Sequence, residues 1–324
     1  MKVVVLDGHV LNPGDTSWAF FEALADLTVY PRTPPELTLE RIGQASYLLL
    51  NKTRITREIL ERAPNIKYIG VLATGYDVVD IQAARERGVV VTNIPGYGTN
   101  AVSQYAIGLL LEICLHIGRH GQLVREGRWS QQPDFCFWEH PLRELTGLKM
   151  GIIGLGRIGL ATAAIAKAMG MEALVDQAHA DPDNGVARLV SQETLWSASD
   201  VISLHCPLNE STYHIVNEQS LSRVKKGVIL INTARGDLVD EAALATALKS
   251  GQVGYAGLDV VSQEPISPDN PLLGLPNCLI TPHVAGMPRE ARQRVIDMAY
   301  DNFLRFLEGT FQNVVTSPNI VFES

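Results

Sequence analysis

Short apolar runs alternate with amphipathic segments along the first 97 residues. The apolar runs predict strands near Val3–Leu6, Leu27–Tyr30, Tyr47–Leu50, Tyr68–Val71 and Val89–Thr92. The segments between them predict helices over Trp18–Ala25, Thr38–Gln44, Thr56–Arg62 and Val79–Glu86. Strands that alternate with helices are typical of parallel βαβ units. We therefore predict a small flavodoxin-like parallel sheet in residues 1–97.

A different pattern follows the break at Pro95-Gly-Tyr-Gly98. Apolar side chains recur at spacings of three or four residues, at Val102, Tyr105, Leu109, Ile113 and Ile117. This spacing places them on one face of a helix. We predict a single long helix over Ala101–Glu126, because Gly127 follows it.

A second alternating series begins at Lys149. Its apolar runs predict six strands, near Met150–Ile153, Ala173–Val175, Val201–Leu204, Val228–Asn232, Tyr255–Leu258 and Cys278–Thr281. Six parallel strands are the number of a full dinucleotide-binding sheet. A helix over Arg289–Glu308 is expected to return to the first sheet. We therefore predict an α/β chain of two Rossmann-like or flavodoxin-like, doubly wound parallel-sheet domains, residues 1–97 with 289–324 and residues 98–288, with a cleft between them.

Charge and cysteine content exclude several classes of protein. The chain has 27 Lys and Arg against 35 Asp and Glu, a net charge of −8, so no nucleic-acid partner is expected. For the same reason an anionic substrate would need a local cation. The cysteines, Cys114, Cys136, Cys206 and Cys278, lack metal-site spacing, so we expect no metal and buried thiols in a cytoplasmic protein. The sequence has no run of 18 apolar residues, so we expect no membrane span.

A glycine loop, Gly154-Leu-Gly-Arg-Ile-Gly159, follows an apolar strand and precedes a helical run. In that context Gly154 permits a tight turn, Gly156 admits a pyrophosphate and Gly159 lets helix and strand pack closely. The phosphates would lie at the helix N-terminus, beside Arg157. Asp176 ends the next strand, where a carboxylate binds the adenosine ribose and repels a 2′-phosphate. The pattern favours NAD over NADP, although a loop of this kind can also serve packing alone.

A cation follows the buried run Val228–Asn232, in the sequence Thr233-Ala-Arg-Gly236. Ligands of open α/β sheets bind beyond the carboxyl ends of the strands, so Arg235 is expected at the substrate. Its planar guanidinium suits a carboxylate and the adjacent carbonyl oxygen. The alternative is a surface ion pair with Asp237 or Asp240.

An imidazole and a carboxylate come from two later segments. His283 follows a strand, where it can give a proton to a carbonyl oxygen or take one from a hydroxyl. Glu264 can stabilise the protonated ring and fix its orientation. Asp259 is another candidate partner, but it directly ends a strand and is expected nearer the nicotinamide. The alternatives are a core histidine, a solvated loop glutamate, and His205, which also ends a strand.

Together these segments resemble the D-isomer-specific 2-hydroxyacid dehydrogenase family. The matching motifs occur in family order: Gly154–Gly159, His205-Cys-Pro-Leu208, Asn232-Thr-Ala-Arg-Gly236, Leu258-Asp259 with Glu264-Pro265, and Thr281-Pro-His283. Upstream, Ala73-Thr-Gly-Tyr-Asp77 and Val91-Thr-Asn-Ile-Pro95 also match, so the resemblance covers nearly the whole chain.

The resemblance implies a role for each matching residue. Arg235, Glu264 and His283 would be catalytic, and Thr74 and Gly75 would bind the substrate together with Arg235. Residues 1–97 with 289–324 would be the substrate-binding domain, and residues 98–288 the NAD-binding domain. Helix 101–126 would form a homodimer, and Trp138 would approach a neighbouring active site. NAD or NADH would contact Gly154, Gly156, Arg157, Ile158, Gly159, Asp176, Pro207, Thr233, Ala234, Asp259 and Gly286.

Within the family, the glycerate dehydrogenase or hydroxypyruvate reductase branch is most similar, through Val5-Leu-Asp-Gly8, Asn51-Lys-Thr53 and Asn270-Pro-Leu-Leu273. The expected reaction is NADH-dependent reduction of hydroxypyruvate or glyoxylate to D-glycerate or glycolate, with His283 as acid/base. Gly286 stands where many members of that branch have Trp, which leaves another small 2-oxo acid open as the substrate, and a bulkier 2-oxo acid is a further alternative. Formate oxidation is disfavoured, because formate enzymes of this type carry Gln at the position of Glu264. An NADH-sensing corepressor is disfavoured by the lack of a Pro/Ser-rich tail.

Overall fold

The structure is a computed structural model that describes residues 1–179, 181, 183 and 185–316. Residues 317–324, the end of the predicted segment 289–324, lie outside the described residues. The strands are β1 (Lys2–Val5), β2 (Asp26–Val29), β3 (Tyr47–Leu50), β4 (Tyr68–Val71), β5 (Val90–Thr92), β6 (Lys149–Ile153), β7 (Glu172–Asp176), β8 (Arg188–Val190), β9 (Val201–Leu204), β10 (Val228–Asn232), β11 (Val253–Leu258) and β12 (Cys278–Ile280). The α-helices are α1 (Ala19–Leu24), α2 (Thr38–Ile42), α3 (Arg57–Arg62), α4 (Ile81–Glu86), α5 (Thr99–Leu115), α6 (Ile117–Arg125), α7 (Arg157–Ala168), α8 (Gln192–Ala198), α9 (Glu218–Leu221), α10 (Glu241–Ser250) and α11 (Arg289–Leu307).

The chain divides into two compact units. The first comprises Met1–Tyr97 and the chain from Met287 onward, and the second comprises Gly98–Gly286. The later boundary differs from the predicted one, since Met287 and Pro288 belong to the first unit. Pro288 caps α11, and Arg292 Nε donates a hydrogen bond of 2.9 Å to Met287 O, so both residues are tied to that helix.

The first unit is built on a five-stranded sheet in the order β2-β1-β3-β4-β5, with every pair parallel. This is the flavodoxin-like order. Successive side chains of a strand face opposite sides of a sheet, so Val4 and Leu48 enter one apolar core while Val3 and Leu49 enter another. Helix α11 packs into the second of these cores, for example through Phe303.

The second unit contains a seven-stranded parallel sheet in the order β12-β11-β10-β9-β6-β7-β8. This is the doubly wound dinucleotide-binding order with one more strand at the β12 edge. The predicted fold class, two doubly wound parallel-sheet domains, is confirmed. The predicted count of six strands omitted β8, because only Val190 of its three residues is buried and no apolar run marks it.

The single helix predicted over residues 101–126 is wrong. Helix α5 ends at Leu115, and α6 begins at Ile117 after a bend of 57°. His116 lies between them with φ 47° and ψ 42°, and this left-handed conformation cannot continue a right-handed helix. The Glu112 carboxylate accepts a hydrogen bond of 3.1 Å from Gly118 N, which satisfies a free donor at the start of α6.

Among the described residues, no single helix is long and apolar enough to cross a membrane. The bent pair α5 and α6 passes that test when the two helices are taken together. Much of α5, including Leu110 and Ile113, is buried in a core of the second unit.

The four cysteines are unpaired thiols, and they differ in exposure. Cys114 and Cys206 are buried, and burial raises the pKa of each thiol. Cys278 is half-buried, and its surroundings raise its pKa to about 12, chiefly by desolvation. The expectation of buried thiols is wrong for Cys136, which is exposed.

Candidate active site

The carboxyl edge of the seven-stranded sheet brings together most of the predicted site residues. Strands β10, β11 and β12 are adjacent and parallel, so the segments that follow them, with Arg235, Asp259 and His283, lie side by side. We call these segments the β10–β12 half of the edge. The segments after β6, β7 and β9 form the β6–β9 half, which carries the glycine loop and Asp176.

His283 and Glu264 form a hydrogen-bonded pair. His283 Nδ1 lies 2.7 Å from Glu264 Oε2, and Val261 N donates a bond of 3.3 Å to Glu264 Oε1. The two side chains are 35% and 34% exposed, so a ligand can reach the ring. Because the carboxylate engages Nδ1, Nε2 is the ring nitrogen that can exchange a proton with a ligand.

The backbone under His283 is held by Asp259. His283 has a φ of 55°, a conformation that costs free energy for a residue other than glycine. Its N–H donates to Asp259 O at 2.8 Å. The Asp259 carboxylate, only 1% exposed, accepts from Thr281 Oγ1 (2.6 Å), Val284 N (2.9 Å) and Ala285 N (2.7 Å). Asp259 therefore fixes the segment that carries His283, a role that the sequence reasoning missed; its predicted cofactor contact stays a prediction.

Arg235 is exposed, and its guanidinium is available to a ligand. Its Nη1 donates to Ala234 O at 2.7 Å. In the part of the chain that the structure describes, no ion pair joins Arg235 to Asp237 or Asp240, the alternative that the sequence left open. Asp240 instead caps α10 with its side chain. The positive charge at this edge is thus left for an anion.

Asn232 shapes the turn that presents Arg235. This last residue of β10 is only 1% exposed. Its Oδ1 accepts from Ala234 N (3.0 Å), and its Nδ2 donates to Arg235 O (2.8 Å). The sequence reasoning also missed this residue, although a polar side chain at the end of an apolar run is a usable signal, because buried amides need partners.

The glycine loop has the shape that a dinucleotide requires. Gly154 has a φ of 96°, and a Cβ there would lie 2.5 Å from Cys206 N. A Cβ on Gly159 would lie 2.1 Å from Gly154 O, so α7 packs closely on the turn. At Gly156, by contrast, a Cβ would meet nothing within 4 Å among the described residues. Gly156 precedes Arg157, the first residue of α7, so open space lies at a helix N-terminus, where phosphates bind.

Two further residues of the second unit fit a bound NAD. The Thr233 hydroxyl is buried, and it has no hydrogen-bond partner in the described part of the chain. A buried polar atom of this kind is costly unless a ligand satisfies it. Asp176 is half-buried at the end of β7, the strand next to the one that precedes the glycine loop. The residues present therefore fit the group that the sequence predicts.

His205 differs from His283 in its surroundings. It follows β9, and its Nε2 lies 2.9 Å from Ser203 Oγ. Burial lowers the pKa of His205 to about 4, so its ring is neutral near pH 7 and is a poor proton donor. Of these two histidines, the geometry favours His283 as the acid/base.

The remaining predicted site residues have positions but no tested role. Ile158 lies in the first turn of α7, Pro207 is exposed after β9, and Gly286 is buried at the end of the second unit. Thr74 and Gly75 follow β4 in the first unit, where Thr74 Oγ1 donates to Ile94 O. Their contacts with ligands stay predictions. Within the described residues, no group of three or more His, Cys, Asp or Glu could hold a metal ion.

Known proteins resemble this chain over nearly its whole length. The family model of the D-isomer specific 2-hydroxyacid dehydrogenase, NAD binding domain, matches residues 107–285. A hydroxypyruvate reductase of Blautia hydrogenotrophica is 53% identical, over 97% of this chain and 99% of its own. A glycerate dehydrogenase of Methylorubrum extorquens is 40% identical, over 97% and 98%. The structure of a D-lactate dehydrogenase from Aquifex aeolicus with NAD and lactic acid matches with a TM-score of 0.83 at 28% identity, covering 98% and 100%.

The chain therefore belongs to the D-isomer-specific 2-hydroxyacid dehydrogenase family. It is an NAD-dependent oxidoreductase, and the resemblance drawn from its motifs is confirmed. The matched NAD-binding region contains the glycine loop, Asp176, Arg235, Glu264 and His283.

Proposed function

We propose that this enzyme reduces hydroxypyruvate or glyoxylate with NADH, forming D-glycerate or glycolate. The observation that carries the proposal is the 2.7 Å hydrogen bond between His283 Nδ1 and Glu264 Oε2. It lies on the same half of the sheet edge as the exposed guanidinium of Arg235. To reduce a 2-oxo acid, the protein must supply a proton donor and a cation that binds the substrate carboxylate.

Each member of this trio has one proposed task. The Arg235 guanidinium binds the substrate carboxylate and polarises the adjacent carbonyl oxygen. His283 gives its Nε2 proton to that oxygen, and Glu264 stabilises the charged ring. In the oxidative direction the same nitrogen takes the proton from the hydroxyl. Backbone groups of Thr74 and Gly75 are predicted to bind the carboxylate as well.

The β6–β9 half is proposed to hold the cofactor. When bound, NADH supplies the hydride for the carbonyl carbon. The open backbone at Gly156 and the N-terminus of α7 suit its pyrophosphate. Asp176 suits the adenosine ribose and disfavours the 2′-phosphate of NADPH. From the β10–β12 half, the buried hydroxyl of Thr233 would also gain a partner on the cofactor.

The choice of substrate rests on the relatives. The chain is 53% identical to a protein named hydroxypyruvate reductase and 40% identical to one named glycerate dehydrogenase, each over nearly the full length. Those names describe the same two compounds, since reduction of hydroxypyruvate yields glycerate. We therefore propose hydroxypyruvate as the first substrate to test.

The experiment is NADH oxidation with hydroxypyruvate, glyoxylate, pyruvate and 2-oxoisocaproate, repeated with NADPH. We expect the highest kcat/KM with hydroxypyruvate and NADH. A preference for 2-oxoisocaproate would leave the proposed reaction mechanism standing but would contradict hydroxypyruvate as the substrate. No turnover with any of the four acids, while NADH still binds, would refute the proposal.

The enzyme is further proposed to be a homodimer. The apolar side chains of helix α5 are buried or half-buried, so the exposed apolar side chains of this region lie on α6 and the segment after it. We define the apolar surface as Ile117, Val124, Trp129, Phe135, Trp138 and Leu142, all of which are exposed. Phe135 is 88% exposed and Trp138 64% exposed, and exposed apolar side chains that cluster on a surface mark a protein interface. A second copy of the chain is the proposed partner.

Light scattering on size-exclusion fractions tests the dimer. Phe135→Asp is expected to produce a monomer, because it buries a charge in the apolar surface. Phe20→Asp is the matched control, since Phe20 is 58% exposed in the first unit. A Phe135→Asp variant with the mass of the wild type would contradict the proposed interface.

A cytoplasmic location is proposed from the cysteines. All four are free, including the exposed Cys136, and exposed thiols persist in reducing compartments. Cell fractionation with an antibody to the chain tests this, and recovery in a membrane or secreted fraction would contradict it.

A further inference from the structure

Glu241 lies outside the predicted trio, yet it binds the loop that carries Glu264. It is the first residue of α10. Its Oε1 accepts a hydrogen bond of 2.8 Å from Ser262 N, and its Oε2 accepts from Ser262 Oγ at 2.8 Å. Oε2 also accepts from Asn270 Nδ2 at 2.9 Å. One carboxylate therefore fastens both ends of the segment 262–270, with Glu264 between them.

The start of this loop is also packed tightly. A Cβ on Gly236 would lie 2.0 Å from Val261 C and 2.3 Å from Ser262 N. The peptide that joins Val261 to Ser262 thus rests directly on the residue after Arg235. Val261 N donates to Glu264 Oε1. The hydrogen bonds of Glu241 keep this peptide in place.

The far end of the loop is fixed by Asn270. Asn270 is 8% exposed, and its Oδ1 accepts from Leu272 N at 3.0 Å. Its Nδ2 is the group that reaches Glu241. If the carboxylate is lost, this buried amide loses a charge-assisted partner.

We propose that Glu241 is a positioning residue for proton transfer. By holding Ser262 and Asn270 it keeps the Glu264 carboxylate against His283. The inference rests on the proposed function, in which His283 protonates the carbonyl oxygen. It adds to that function a residue that touches neither the substrate nor the reacting atoms.

The hydrogen bonds that Glu241 makes to Ser262 and Asn270 are not needed to stabilise the start of α10. Asp240 already caps α10 through Ala242 N and Ala243 N. A first-turn carboxylate also interacts favourably with the helix dipole, but Glu193 in the first turn of α8 does the same. Among the described residues, the exposed side chain of Glu193 makes no hydrogen bond or ion pair, so Glu193→Gln is a matched control.

The test compares four variants with the wild type: Glu241→Gln, Glu264→Gln, the double variant and Glu193→Gln. A Gln side chain keeps one acceptor for Ser262 N but cannot accept at its amide nitrogen from Ser262 Oγ or Asn270. We expect Glu241→Gln to lower kcat about 10-fold with an unchanged KM for NADH, and Glu264→Gln to lower kcat about 100-fold. Because Glu241 acts through Glu264, the double variant should be no slower than Glu264→Gln alone.

Two kinetic outcomes would overturn the inference. The first is a double variant whose loss is the product of the two single losses, and the second is a Glu241→Gln variant with the kcat of Glu193→Gln. Thermal unfolding of all variants separates a folding defect from a kinetic one.

A second readout does not require turnover. The proton between His283 Nδ1 and Glu264 should give a low-field NMR resonance, identified by its loss in Glu264→Gln. We expect it to shift in Glu241→Gln and to stay in place in Glu193→Gln. If the wild type reduces none of the four acids, the proposed function fails, while this resonance still decides whether Glu241 positions Glu264.

Discussion

The two halves of the carboxyl edge of the seven-stranded sheet are built differently. In the glycine loop of the β6–β9 half, three positions lack side chains, and Gly156 leaves open space before a helix N-terminus. In the β10–β12 half, buried polar side chains hold each functional segment. Asn232 fixes the turn of Arg235, and Asp259 fixes the segment of His283.

The difference follows from what each half is proposed to bind and do. A pyrophosphate is large and charged, so its site needs room and free backbone donors. Proton transfer depends on distance, and a misplacement of about 1 Å can cost about 100-fold in rate. A half that only binds can stay open, whereas a half that transfers a proton must be held in place.

Of the three variants that compare the two halves, Asp259→Asn is expected to have the largest effect. An Asn amide nitrogen would replace either Oδ1, which accepts from Val284 N, or Oδ2, which accepts from Ala285 N. In either orientation it would face a donor, so the His283 segment should move. We expect kcat to fall about 100-fold, with the KM for NADH within about threefold of the wild type. Steady-state kinetics measure both.

Asp237→Asn is the control for that variant. Asp237 lies at the same sheet edge, and within the described residues its side chain makes no hydrogen bond or ion pair. If Asp259→Asn instead raises the KM for NADH and spares kcat, Asp259 belongs functionally to the cofactor half, and the contrast between the halves fails.

A smaller effect is expected from Asp176→Ala, which tests the β6–β9 half. Removing the carboxylate takes away the proposed ribose contact and the repulsion of a 2′-phosphate. We expect kcat/KM with NADH to fall about 10-fold and the preference for NADH over NADPH to narrow, with kcat changed little. Kinetics with both cofactors measure this. An unchanged preference would remove Asp176 from the site.

The smallest effect on turnover is expected from His205→Gln, which instead changes the pH dependence of stability. The pKa of His205 is about 4 in the folded protein, against 6.5 ordinarily. Between these two pH values His205 is protonated in the unfolded chain but neutral in the folded protein. The contribution of His205 to the free energy of unfolding is therefore fully present above pH 6.5. It is lost as the pH falls from 6.5 toward 4, and the loss is about 3 kcal/mol at most.

His205→Gln removes this titration. Urea unfolding at pH 7 and pH 4.5 should show a smaller loss of stability in the variant than in the wild type. Equal losses in the two proteins would mean that His205 is not a buried neutral ring.

The fold and the candidate site residues could be predicted from sequence motifs because these motifs are local. The glycine loop and the strand-end positions of Arg235 and His283 are visible in short stretches of sequence. The residues that hold these segments in place are not visible in short stretches of sequence. Glu241, for example, binds Ser262 and Asn270, which lie 21 and 29 positions away along the chain. A glutamate at the start of a helix has a sufficient local explanation, so nothing in the sequence pointed to the loop.

Two local errors have physical causes of the same kind. The periodic apolar face over residues 101–126 continues through His116, but the backbone there is left-handed and the helix bends. Strand β8 has three residues and one buried side chain, so its existence depends on pairing with β7 rather than on its own pattern. The periodicity of apolar residues indicates which side chains are buried, but it does not indicate where the backbone changes direction.

The most direct test of the account is the single-turnover rate of hydroxypyruvate reduction by His283→Ala, with NADH prebound and its Kd measured by fluorescence. We predict a rate about 1000-fold below that of the wild type, with a Kd for NADH within about threefold of the wild-type value. A rate near that of the wild type, with NADH bound normally, would contradict the assignment of proton transfer to His283.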